Sequence, residues 1–190
     1  MGALLNSIFA YTYSRFVGSD KVYYTFTEHG RHEEYNNDAL GMYVRTIPLL
    51  VDCKDDSVES FVSYFSDLNL NSMVNSVYPF RLLASEYDLN NDVGFEYNFD
   101  LNDVSHVENE LIVGSVLDLV SDFSCVINDL DDGYLVNLEH SDKYSHETGV
   151  RFVEAYAEIL TQIVDAERLS DIEYVSQSDL GILNAINQTE

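Results

Sequence analysis

The sequence predicts a mixed α/β chain of the α+β kind, a mixed β-sheet with helices packed against it. Two observations carry this reading. Apolar residues recur at helical spacing in separated stretches, and runs of aromatic and β-branched residues with strand character lie between them. The resulting order, helix, strand, strand, two helices, several strands and a long helix, is that of helices packed on a mixed sheet. At 190 residues, 46% of them hydrophobic, the chain has the length for one domain with a substantial core. Fourteen Tyr and ten Phe side chains argue for a packed interior and against disorder.

The elements follow in order. Leu4, Leu5, Ile8, Phe9 and Phe16 repeat at helical spacing and Gly18 closes the pattern, which predicts a helix over 3–16. "KVYYTFT" alternates and predicts a strand over 21–27; the polar "EHGRHEEYNND" is a loop. The ribbon "LGMYVRTIPLL" then predicts one long strand through Met42, Val44, Ile47, Leu49 and Val51, bent near Pro48 because proline has no N–H to give a central ladder. Asp56 and Glu59 make a capping box for a helix running to about 70, with Val58, Phe61, Val62, Phe65 and Leu68 on one face.

"YPFRLLASEY" predicts a short helix opening at a proline, where a missing N–H costs least, and "VGFEYNFDL" a strand. Two apolar runs around Asp132 and Gly133 predict a hairpin of two central strands. From Ser145 to about Ala166, the stripe Val150, Val153, Tyr156, Ala157, Leu160 and Val164 predicts the longest helix. A last helix is expected after Ser178, and "ERLSDIEYVSQSD" reads as an exit strap.

Charge narrows the function. With 34 acidic and nine basic residues the formal net charge is −25, which repels phosphate backbones and anionic membrane surfaces, so neither nucleic acid nor membrane is an expected partner. The acids read as a solvated face rather than a cation store. No stretch reaches the roughly 20 apolar residues of a membrane span, and the N-terminus has no basic cluster and no small-residue cleavage signal, so a cytoplasmic location is expected. Met1 leads directly into helical periodicity, which raises the expectation that sequence has been removed upstream. Cys53 and Cys125 lack Cys-x-x-Cys spacing and are expected to be buried thiols.

Patterns that carry chemistry are weak. His29, His32, Glu33 and Glu34 could ligate a metal but sit in the polar loop and match no two-His helix motif, so a solvated loop is the expectation. "DLNNDVG" opens like a calcium loop, yet Gly94 falls one place late and Phe99 stands where the bidentate Glu is needed; a tight turn is expected. "NDLDDG" is explained as the hairpin turn. There is no glycine-rich phosphate loop and no Gly-x-Ser-x-Gly elbow.

The ribbon is more specific. "GMYVRTIPLLVD" resembles the Gly-Met-Phe-Val-Asn-Thr-Leu-Pro-Leu-Arg motif of condensation domains in nonribosomal peptide synthetases. "FVGSDKVYYTFTEHGR" resembles the preceding helix end, strand and Gly-Arg turn, with Gly30 and Arg31 at the turn. "NSVYPFRLL" is similar to the later Tyr-Pro-Phe-Glu segment, "DVGFEYNFDL" to the strand after it, and "LSDIEYVSQSDLGILNAINQTE" to the exit toward an adenylation domain. Five matches fall in order over nearly the whole chain, and they cover the C-terminal half of such a domain.

The resemblance implies a chloramphenicol-acetyltransferase-like lobe over residues 1–170 and an exit segment over 171–190. Two such lobes enclose a tunnel in which a carrier-bound amine attacks a carrier-bound thioester to form an amide. The tunnel and motif candidates it implies are Gly30, Arg31, Gly41, Met42, Val44, Arg45, Thr46, Pro48, Tyr78, Pro79 and Phe80. The ribbon is expected to be an inner strand whose end reaches the lobe interface.

The family's His-His-x-x-x-Asp-Gly signature is absent: His29, His32, His106, His140 and His146 include no adjacent pair. A half-site without a catalytic residue of its own is therefore implied, with the missing N-terminal lobe, carrier domains and a following adenylation domain as partners. No cofactor is implied for this chain, and phosphopantetheine thioesters are the carrier-borne substrates of the full enzyme. Arg45 departs from the family's Asn, Leu50 from its Arg and Arg81 from its Glu. Two alternatives stay open, a lobe of a related epimerization or cyclization domain and a noncatalytic module that docks a carrier or neighbouring domain. A lobe with its inner face intact is also expected to expose an apolar patch and to self-associate.

Overall fold

The computed structural model describes residues 1–30, 40–98, 121–130, 132–175 and 177–187. The chain divides into two compact units, Met1–Val22, Val51–Ser66 and Tyr144–Glu190 forming the first, Tyr23–Leu50 and Asp67–Lys143 the second. In order the elements are α1 (Gly2–Val17), β1 (Lys21–Glu28), β2 (Arg45–Asp52), α2 (Val58–Val74), α3 (Phe80–Tyr87), β3 (Val93–Asn98), β4 (Phe123–Leu130), β5 (Gly133–His140), α4 (His146–Gln162), a 3-10 turn (Leu169–Asp171) and α5 (Gln177–Asn187). The mixed sheet with helices that the periodicities predict is the fold observed.

The first unit is built on an aromatic core. α1 ends at Gly18, whose φ of 67° is the left-handed conformation glycine adopts without strain, and whose N–H donates to the Ser14 carbonyl. α1 buries Leu5, Ile8 and Phe9, and the Phe9 ring lies 5.7 Å from Phe152 of α4. Phe16 approaches the same ring at 5.1 Å. Tyr11 packs on Phe61 of α2, and its hydroxyl donates to the Leu169 carbonyl at 2.6 Å, so the 3-10 turn is bonded into the core. Tyr156 donates to the Leu5 carbonyl at 3.0 Å, which gives a fully buried hydroxyl its partner.

Three sequence expectations change here. The capping residue of α2 is Ser57, whose Oγ accepts from the Ser60 N–H at 3.1 Å; Asp56 instead accepts from the N–H of Ser57. α4 buries Phe152, Ala155, Tyr156 and Ile159, whereas Val150 is 42% and Val164 80% exposed. The two stripes are both apolar at helical spacing and share only Tyr156, and the larger aromatic face is the one packed. α4 also stops at Gln162 and matches α2 at 17 residues, so it is not the single longest helix.

The sheet belongs to the second unit apart from the terminal residues of β1 and β2. Its order is β2-β1-β3-β4-β5. β1 and β4 both run parallel to β3, and β4 pairs antiparallel with β5. Alternate residues Phe123, Cys125 and Ile127 are buried, the period-two signature of a strand with one covered face. β5 lies at the edge of the described sheet and is largely exposed, so only β4 of the hairpin is the central strand expected. Gly133 is already paired with Leu130 as the first residue of β5, so it belongs to the strand and not to the turn expected at Asp132–Gly133. In "DLNNDVG", Asp88 caps α3 with φ 53° and the Asn90 carbonyl accepts from the Tyr23 hydroxyl at 2.9 Å.

Both cysteines are buried, as expected, and burial pushes their thiols up to about 12. Thiols that titrate near 9.0 when unfolded therefore hold their protons longer in the native chain. Their contribution to stability is complete below pH 9.0 and is lost as pH rises toward about 12. The denaturation midpoint should fall over that alkaline range, and a thiol reagent should label neither cysteine until the chain unfolds. Labelling of the native chain as fast as of the unfolded one would contradict this burial.

Candidate functional site

Residues of the ribbon and of the Tyr-Pro-Phe segment meet in the second unit. The ribbon is strand only from Arg45 onward; Leu40, Met42 and Val44 are exposed and non-regular. The long strand expected through Met42 is thus shortened. β2 is also an edge strand of the described sheet and not an inner one, which is where Pro48 is tolerated without loss of a ladder bond.

α3 starts where Pro79, in an extended conformation, offers its carbonyl to Leu82 and Leu83 at 3.0 and 3.3 Å. The turn before it is held by backbone bonds from Ser76 to Met73 and from Tyr78 to Asn75. This compact turn presents Ser76 to the ribbon. Arg45 donates from Nη1 to Ser76 Oγ at 2.8 Å, and Ser76 Oγ donates on to the Met73 carbonyl at 2.6 Å.

The result is an open cleft of about 460 Å³. Its walls include Met42, Val44, Arg45 and Thr46 from the ribbon side and Pro79 and Phe80 from the helix side. Six of the sequence candidates are therefore brought to one place. Pro48 and Tyr78 line a neighbouring groove of about 300 Å³ together with Thr46. The Tyr78 hydroxyl donates to Glu86 Oε1 at 2.6 Å, and this bond raises its pKa by favouring the protonated form.

Gly30 and Gly41 support the ribbon from outside the cleft. Gly30 has φ 70°, is buried, and donates its N–H to Glu28 Oε1 at 2.8 Å. A Cβ on Gly30 would fall 1.9 Å from the Tyr43 carbonyl oxygen, so the close approach requires glycine. A Cβ on Gly41 would meet the Tyr43 ring at 3.2 Å. Arg31 lies outside the described residues, as do His32 and His106.

Sequence reasoning left Tyr43, Ser76, Val77 and Arg81 out of the site. Tyr43 was legible as part of the quoted ribbon. Ser76 had no signal beyond standing before the Tyr-Pro-Phe run, because its role depends on a turn 31 residues from Arg45. Chemically the lining donates hydrogen bonds through guanidinium and hydroxyl groups, and it contains no imidazole or carboxylate among the described residues. Through these donors it can hold and orient a group.

The comparisons agree with this architecture. No curated protein matches the sequence. A four-domain nonribosomal peptide synthetase, bound to AMP and glycine, superposes with a TM-score of 0.78 at 14% identity, covering 94% of this chain and 16% of that one. The X-domain of teicoplanin biosynthesis in complex with OxyB gives 0.73 at 15% identity, covering 93% of this chain and 43% of that one. The first condensation domain of the calcium-dependent antibiotic synthetase, in complex with a substrate analogue, gives 0.69 at 16% identity over 91% of this chain and 41% of that one. The chain spans less than half the length of each, and at these identities the likeness establishes the chloramphenicol-acetyltransferase-like fold. No helix among the described residues is long and apolar enough to cross a membrane. The Condensation domain family matches residues 1–180, and the chain belongs to that family.

Proposed function

We propose that this chain is the C-terminal lobe of an amide-forming condensation domain, with residues 1–170 as the lobe and 171–190 as the exit toward an adenylation domain. Its role is to wall one side of the tunnel in which a carrier-bound amine meets a carrier-bound thioester. The observation that supports this best is the cleft between the ribbon and the start of α3, where the two motif segments share one space. Amide formation between tethered reactants depends on positioning and on removing the amine's proton. The cleft supplies the first; an N-terminal lobe carrying the His-His-x-x-x-Asp-Gly signature supplies the second. Carrier domains deliver phosphopantetheine thioesters, and the cytoplasm, where carriers are loaded, is the expected compartment.

The test joins the chain in frame to an N-terminal lobe with that signature and supplies two loaded carrier domains. Amide product on the acceptor carrier, read by mass spectrometry, is expected from the joined protein and not from this chain alone. Carrier binding without any product would favour the second reading, a noncatalytic docking module. That reading has its own support in the X-domain, whose structure is a complex with OxyB.

A further inference from the structure

Basic side chains are scarce in this chain, and most are spent on carboxylates. Arg15, Lys54, Lys143, Arg151 and Arg168 each lie within ion-pair distance of an Asp or Glu. Among the described residues, Lys21, Arg45 and Arg81 have no such partner, and of these Arg45 and Arg81 line the same cleft of about 460 Å³. Arg45 is half-buried and Arg81 exposed. Arg45 spends one of its guanidinium donors on Ser76, whose own hydroxyl is committed to the Met73 carbonyl, so the side chain is held in place with four N–H donors left.

In a chain of net charge −25, two guanidinium groups without carboxylate partners in one ligand-sized space are a local reversal of sign. The rest of the lining adds an apolar surface from Met42, Val44, Val77 and Phe80 beside the polar Thr46 and Ser76. A bare inorganic anion would waste that surface. The space suits a group with an aliphatic body and an oxyanion at its tip, since guanidinium binds carboxylate through paired N–H donors. At physiological ionic strength, screening limits the reach of the surrounding acids to about 8 Å, so the groups in contact decide.

We propose that this cleft selects a thioester-borne acyl group whose far end carries a carboxylate, held by Arg45 and Arg81. The proposal rests on the tunnel-wall reading above and adds the substrate class to it. The same oxyanion chemistry could be presented by the phosphate of a carrier's prosthetic arm, and the experiment separates the two sources.

The chain, with its arginine side chains labelled, is titrated with three probes and followed by NMR. These are glutaryl-N-acetylcysteamine, its neutral isostere glutaramoyl-N-acetylcysteamine, and phosphopantetheine. The glutaryl thioester is expected to bind about tenfold more tightly than the amide isostere, the factor of one lost charge-assisted bond. Arg45→Gln and Arg81→Gln should each remove that preference, and Arg81→Lys should restore part of it. Arg81 is exposed, so Arg81→Gln decides the matter even where Arg45→Gln disturbs the fold. Equal binding of the two thioesters overturns the proposal, as does a response of the arginine signals to phosphopantetheine alone.

The joined two-lobe protein keeps this inference distinct from the reading beneath it. Amide formation with no preference for the acidic acyl group sinks the anion site and leaves the condensation reading standing. Charge-selective binding with no amide from any substrate does the reverse.

Discussion

Gly30→Ala is expected to lower the thermal midpoint by roughly 6–12 °C, corresponding to about 3 kcal/mol in a chain of this size. Two costs combine. At φ 70° an alanine adopts the left-handed region, at a cost of about 1–2 kcal/mol. The new Cβ would also stand 1.9 Å from the Tyr43 carbonyl oxygen, an overlap that only backbone movement relieves. Tyr43 lies in the segment that leads into β2, so the movement should be transmitted to Arg45 and loosen its 2.8 Å bond to Ser76. Differential scanning calorimetry reads the first effect and the Arg45 side-chain NMR signal the second. An alanine variant with an unchanged midpoint and an unchanged Arg45 environment would mean that the contact between Gly30 and Tyr43 does not hold the ribbon.

Phe152→Ala should cost about 3–5 kcal/mol, whereas Val150→Ala should stay within about 0.5 kcal/mol. Phe152 is 1% exposed and its ring meets those of Phe9 and Phe16, so truncation leaves a cavity among aromatic neighbours that cannot readily collapse. Val150 is 42% exposed, and alanine is the better helix former. Equilibrium denaturation of both variants decides which face of α4 is packed. Similar losses at the two positions would show that the stripe predicted from the sequence is buried as well.

α4 shows where periodicity stops being informative. A 3.6-residue repeat establishes that a helix exists, and Val150, Val153, Ala157 and Leu160 satisfy it as well as Phe152, Ala155 and Ile159 do. Choosing between the stripes requires the partner helix, and Phe9 of α1 is more than a hundred residues away in sequence. The hairpin teaches the same lesson for strands. Two apolar runs around an acidic turn establish that β4 and β5 pair, but whether each arm is central or at an edge depends on what lies beyond it. β4 has β3 on its other side and β5 ends the described sheet.

The candidate site divides along the same line. Motif resemblance alone was enough to single out Met42, Val44, Arg45, Thr46, Pro79 and Phe80, because a local run of side chains is visible in a string of letters. Their meeting in one cleft was not visible, nor was the part played by Ser76, since both depend on how a turn at 75–78 closes on a strand 31 residues earlier.

Motif resemblance pointed to the Condensation domain family; what the sequence by itself determined beyond that was the element order, the acidic character and the buried thiols. These follow from local spacing and composition, which every residue carries wherever it lies. Only the tertiary structure decided the packed face of α4, the edge positions of β2 and β5, the glycine contact beneath the ribbon and the pairing of Arg45 with Ser76. Each of those is a contact between segments distant along the chain, and side-chain periodicity repeats within one element without recording which neighbour it will meet.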